Sequence, residues 1–125
     1  MKYWLALSVC ILAGCVTEPS RDEPYPTPVI YATWWAEISH CAGQTTWRSN
    51  HLSINQLDFY TLDPMSRFAG RQFGLSIWIR ERFKLSRLVV EHEMLHVLID
   101  DPNHRDERWA RCNQYPFTVT EALGS

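Results

Sequence analysis

From residue 29 onward the spacing of apolar positions changes along the chain, and each change predicts an element. Over 29–42, Ile30 or Tyr31, Trp34 or Trp35, Ile38 and Cys41 recur at helical intervals, and Gly43 follows as a C-cap, so a first helix is predicted there. In 51–63, Leu52, Ile54, Leu57, Phe59 and Leu62 alternate with polar residues until Asp63-Pro64 closes the run, which reads as a strand with a bend. The stretch "GLSIWI" at 74–79 sets Leu75, Ile77 and Ile79 on one face and Ser76, Trp78 and then Arg80 on the other, which predicts a second strand. Ser86 is placed to cap a last long helix, in which Leu88, Val89, Val90, Met94, Leu95, Val97, Leu98 and Ile99 leave hardly any polar face. A helix apolar all round is central and buried, and Pro102 ends this one. The remainder reads as irregular or briefly helical, and no internal repeat is visible, so the expectation is one small α+β domain.

Composition supports a compact core, because 46% hydrophobic residues and six tryptophans supply large apolar side chains even in a chain of 125 residues. A net charge of −2 without a basic block excludes the electrostatic footprint of nucleic-acid binding. Arg80, Arg82, Lys84 and Arg87 read as a solvated face. Asp100 and Asp101 sit at the negative end of the long helix, which is unfavourable unless a cation, such as a bound metal, compensates.

Residues 1–15, "MKYWLALSVCILAGC", have one lysine and then an apolar run too short to span a bilayer, which reads as an export signal. Its end, Leu12-Ala13-Gly14-Cys15, resembles the lipobox of bacterial lipoproteins. The resemblance implies acyl chains on Cys15, anchoring to a membrane, and an outer-membrane destination, since Val16 follows the cysteine. Residues 16–28 carry prolines at 19, 24, 26 and 28 and no apolar period, so they read as an extended tether, with the folded domain at 29–125. With Cys10 in the leader and Cys15 the lipid site, Cys41 and Cys112 remain, and in an oxidising compartment an isolated pair reads as a disulfide.

The chemistry concentrates in "EHEMLHVLIDDPNH", residues 91–104. His92 and His96 lie one helical turn apart, so both rings leave one face and can converge on one ion at about 2.0–2.1 Å. Glu93 leaves the helix about 100° round from His92, within reach of a water on the same ion. Two neutral imidazoles hold the ion, the ion lowers the pKa of its water, and the carboxylate takes the proton. Catalytic zinc takes three protein ligands, and His104 is the best candidate for the third, because the break at Asp101-Pro102-Asn103 lets the chain turn back. Asp100, Asp101 and Asp106 compete with it as ligands or as acceptors for a ring N–H. Tyr115, His51 and Arg105 are open alternatives for a transition-state stabiliser.

This stretch resembles the HExxH active-site helix of zincin metallopeptidases, with a late third histidine similar to that of the metzincins. The spacing departs from the metzincin pattern: the third histidine comes later, no glycine precedes it, and no methionine-bearing turn follows. What the resemblance implies is a minimal zincin-like core, with "GLSIWI" as an edge strand that binds an extended peptide. The expected function is a lipid-anchored, monomeric zinc hydrolase, a peptidase in which Glu93 acts as general base and a peptide or protein is the substrate. The alternative is a non-catalytic envelope lipoprotein whose zinc site serves structure or metal capture. A third reading, an anchored interaction module without metal, requires core acceptors for His92 and His96.

Overall fold

The computed structural model describes residues 23–43 and 51–114. The leader, Cys15, the first part of the tether and Tyr115 lie outside the described residues. Helix α1 spans Ile30–Ala42, followed after a gap by a 3-10 turn at Ile54–Gln56 and strands β1 (Asp58–Leu62), β2 (Gly70–Phe73) and β3 (Ser76–Arg80). A second 3-10 turn at Glu81–Phe83 leads into α2 (Arg87–Ile99), and α3 (Glu107–Arg111) follows a tight loop. The protein is therefore the expected α+β domain. The sheet order is β1-β3-β2, with β1 parallel and β2 antiparallel to β3.

The predicted helices hold, and the reasons are local. Gly43 ends α1 at φ 73, a conformation that favours glycine. Ser86 caps α2 by accepting from the Val89 N–H. Every residue from Val89 to Ile99 on α2 is buried, the histidines and Glu93 included, so the helix runs through the middle of the core as its composition requires. Tyr31, Trp34, Trp35 and Ile38 of α1 join the same core from one side, and Phe59, Ile77 and Ile79 of the sheet from the other.

The strand expectations need three corrections. Ser53 and Gln56 form a reciprocal capping box, so 54–56 winds into a turn, and β1 begins only at Asp58. The stretch "GLSIWI" contributes the central strand, not an edge, because both β1 and the unforeseen β2 pair with β3. β2 has little apolar alternation of its own; its ladder to β3 holds it, and Gly74 at φ 59 makes the turn between them.

The expected tether boundary at Val29 also moves. Pro24 bridges Tyr60, the Tyr25 N–H donates to the Phe59 carbonyl at 3.1 Å, and the Thr61 N–H donates to the Glu23 carbonyl at 2.9 Å. Backbone pairing thus closes the outer edge of β1 and draws 23–28 into the fold. Among the described residues the outer edge of β2 has no such cover.

The expected disulfide is present: Cys41 at the end of α1 joins Cys112 just after α3, with 5.8 Å between their Cα atoms. Arg111 reinforces it by donating to the Cys41 and Ala42 carbonyls at 3.3 and 3.1 Å, groups left over at the end of α1. Of the basic residues expected to form a solvated face, Arg82 and Arg87 are exposed, whereas Arg80 and Lys84 are half-buried, Lys84 lying over the Tyr25 ring. Lys84 pairs with Glu81, Arg87 with Glu37 and Glu91, while Arg80 and Arg82 lie over the Phe83 ring. Among the described residues no helix is long and apolar enough to cross a membrane.

Candidate metal centre

His92 and His96 emerge from adjacent turns of α2, and His104 reaches them from the loop beyond. The chain can turn back because Asp100 and His104 both adopt left-handed backbone conformations, at φ 53 and 56. Such conformations are costly for residues other than glycine and are held only where the surroundings over-determine them. Here Asp101 does so. Its carboxylate accepts from the N–H groups of Asn103, Arg105 and Asp106 and from the Trp109 indole, all at 2.9–3.0 Å. Burial alone would raise this carboxyl, but the N–H groups of Asp106 and Asn103, the indole and the Arg105 N–H together hold it well below its ordinary value. Asp101 therefore needs no metal for compensation, because four N–H donors meet its charge, while Asp100, the C-cap of α2, is exposed to solvent.

The three rings meet through their Nε2 atoms. His104 Nε2 lies 3.0 Å from His92 Nε2 and 3.0 Å from His96 Nε2, a separation compatible with one ion bound at about 2.0–2.1 Å from each. All three ligand atoms lie within 4.8 Å of one another. His96 Nδ1 faces the Asp101 main-chain carbonyl at 2.8 Å. A carbonyl can only accept, so the proton sits on Nδ1 and the Nε2 lone pair points into the cluster. Burial pulls His92 down to about 3, with His96 and His104 adding to the effect. Burial likewise pulls His96 down to about 4, partly opposed by the Asp101 carbonyl. Both are neutral at pH 7, the state a metal requires.

Protons alone leave this arrangement short of donors, because a single N–H on His104 can serve only one of its two neighbours. A cation at the centre satisfies all three nitrogens. The three histidines are therefore placed to hold a metal ion.

Trp109 supports the cluster. On α3 and only 2% exposed, it packs its indole against all three rings, with centroid separations of 4.8 Å to His92 and 4.5 Å to both His96 and His104. The same indole donates to Asp101, so one side chain contacts the rings and also braces the residue that orients His96. The last segment, expected to be irregular or briefly helical, does carry a brief helix, but the sequence reading did not single out Trp109. The signal was Asp106, an N-cap that accepts from the Arg108 N–H and starts α3, followed by an apolar residue three positions later.

Glu93 lies beside β2, where a Cβ added at Gly70 would fall 2.9 Å from its Cγ and 3.1 Å from its Oε1. Only the absence of a side chain at Gly70 allows this approach. Burial pushes the Glu93 carboxyl up to about 8, with Arg71 pulling the other way. A cleft of about 280 Å³ opens between Phe68 and β2 on one side and the three histidines on the other, with Glu93 and Pro102 completing its wall. A larger cavity of about 440 Å³, lined by Arg87, Glu91 and Gln114 among others, includes none of the cluster.

The structure thus brings Glu93, His92, His96 and His104 to one cleft, and Asp100, Asp101 and Asp106 are not among the residues that line it. Asp101 is consumed by the loop, and Asp106 is engaged by the Arg108 backbone and guanidinium at 2.7–2.9 Å. His51 and Arg105 do not line the cleft, whereas Arg71, Gln72 and Phe68, unforeseen, do. No protein-family model, curated protein or solved structure matches the chain.

Proposed function

We propose that the protein is a zinc-dependent hydrolase acting on peptides, held at a membrane of the cell envelope by lipid on Cys15. The observation that carries this reading is the convergence of three Nε2 atoms, with the His96 lone pair fixed by the Asp101 carbonyl, beside a buried carboxylate. Three imidazoles suit several transition metals, and the HExxH pattern narrows the choice to zinc. When bound with one position open, zinc lowers the pKa of water to about 7 and polarises a carbonyl.

The chain's own residues supply the rest. His96 keeps its orientation through Asp101, and Trp109 restrains all three rings. With a cation bound beside it to offset the effect of burial, Glu93 would be ionised and would take the proton of the attacking water and pass it to the leaving amine. An extended substrate pairs with the open edge of β2, the strand that borders the cleft, so that its backbone crosses in front of Glu93.

The test begins with zinc content of the purified full chain and of His96→Ala and His104→Ala. One zinc per chain in the wild type, lost or weakened in both variants, is expected. Peptide hydrolysis follows, with Glu93→Gln as control. Wild-type hydrolysis by a folded, zinc-loaded Glu93→Gln protein would sink the mechanism. Zinc binding without hydrolysis by the wild type would instead favour metal capture.

A further inference from the structure

Arg71 on β2 and Arg67 in the segment before it are two cations that the hydrolytic scheme leaves unused. The guanidinium of Arg67 lies 5.0 Å from the centroid of the Phe68 ring, and that of Arg71 lies 5.4 Å from the same centroid. The ring they share lines the cleft beside the histidines. Neither guanidinium forms a salt bridge among the described residues, and Arg71 acts on the buried Glu93 carboxyl only at longer range. Arg87, Arg108 and Arg111 differ, pairing with Glu37 and Glu91, with Asp106 and with Glu107 respectively. Arg80 and Arg82 share the Phe83 ring in the same way, but that ring is buried and does not line the cleft. The one acidic residue lining the cleft is Glu93, and it is buried. Two cations beside one ring at the rim of the cleft favour an anion there.

Sheet register says where on a substrate the anion belongs. Arg71 stands opposite Trp78, and Gly70 stands opposite Ile79. Gly70 and Gln72 therefore share the face turned toward α2 and Glu93, whereas Arg71 alternates with them at the open edge while still bordering the cleft. A peptide strand added to the open edge of β2 keeps this alternation. The residue opposite Arg71 then presents its side chain on the Arg71 face, while the residues on either side of it turn toward the metal cluster.

Resting on the peptidase reading, we propose that Arg71, assisted by Arg67, selects peptides that carry an acidic side chain at the position opposite Arg71 on β2. The carboxylate lies against the guanidinium pair, and Phe68 packs against its aliphatic stem. Specificity for an acidic residue at one register position follows, with little demand on the residues alternating with it.

The test uses the full, zinc-loaded chain carrying Glu93→Gln, so that binding is read without turnover. Labelled peptides identical except for a Glu, Gln or Lys walked through successive positions are titrated by fluorescence anisotropy. At one position the Glu peptide binds about fivefold tighter than its Gln counterpart. Adding Arg71→Gln erases that preference, Arg67→Gln weakens it, and Arg71→Glu turns it toward Lys. Circular dichroism checks that these exposed substitutions leave the fold intact. Equal binding of the three peptides at every position overturns the proposal, as does an acidic preference that survives Arg71→Glu. So does a single-stranded oligonucleotide that binds tighter than the Glu peptide, since that assigns the cations to phosphate. Hydrolysis of the same peptides by the wild type is followed in parallel. Its absence counts against the peptidase and leaves the binding preference readable, whereas equal binding counts against Arg71 alone.

Discussion

Two clusters of rings flank the core, and they treat their polar atoms in opposite ways. At the Tyr25–Tyr31 corner the hydrogen bonds run in series. Tyr31 donates to the Lys84 carbonyl at 2.6 Å, so Tyr25 must donate to Tyr31 at 3.0 Å, and Phe59 and Trp34 pack around the pair. At the histidine cluster the polar atoms converge on one point, with more lone pairs than protons to share. The corner closes on itself through protein hydrogen bonds, whereas the cluster places three imidazoles so that they can hold a metal ion. Where the polar atoms point, more than burial, separates the two ring clusters.

Substitution of Trp109 should break the comparison most severely. Trp109→Ala is expected to cost about 3–5 kcal/mol in urea unfolding and to weaken zinc binding as well, because the indole contacts all three histidines. Zinc at a thousandfold excess over its dissociation constant should stabilise the wild type by about 4 kcal/mol, and His96→Ala should abolish that gain. Calorimetric melting with and without chelator checks this, and Tyr31→Phe must retain the shift if the clusters are independent. Gly70→Ala should cost about 1–3 kcal/mol by pushing on Glu93 and should slow peptide hydrolysis while zinc still binds. Tyr31→Phe should cost roughly 1–3 kcal/mol by orphaning the Lys84 carbonyl, with zinc affinity unchanged in a competition assay.

The smallest effect is alkaline. Burial pushes Tyr31 up to about 12 and Tyr25 higher still, against an ordinary value of about 10. A raised folded-state value means the stabilisation is intact below pH 10 and lost as pH rises through 12. Urea midpoints should therefore hold steady to pH 10 and fall beyond it, with phenolate absorbance rising late. Early titration of both tyrosines would contradict the closed corner.

The parts legible in the sequence were those whose own side chains carry the signal. The all-apolar composition around His92 and His96 announced a buried helix, Ser86 and Gly43 marked helix ends, and the i, i+4 histidines announced a shared ligand face. The parts that stayed hidden are held by backbone pairing. β2 has no apolar rhythm because its ladder to β3 suffices, and "GLSIWI" gives no sign that both its edges are taken. Residues 23–25 looked like tether because the prolines masked a short pairing with β1. Trp109 was obscured for a related reason: a helix of five residues shows too little period to be read, and its importance comes from where α3 docks.

Cys41 and Cys112 close a covalent ring in the chain, 71 residues apart in sequence. That ring encloses the whole sheet, Glu93, the three histidines and Trp109. A single proteolytic cut in the exposed stretch at Met65, Arg67 and Phe68 would therefore sever the backbone without releasing a fragment. Nicked protein would migrate as one species on a denaturing gel and as two after reduction. A chain nicked there would keep Glu93, the three histidines and Trp109 on one covalent molecule.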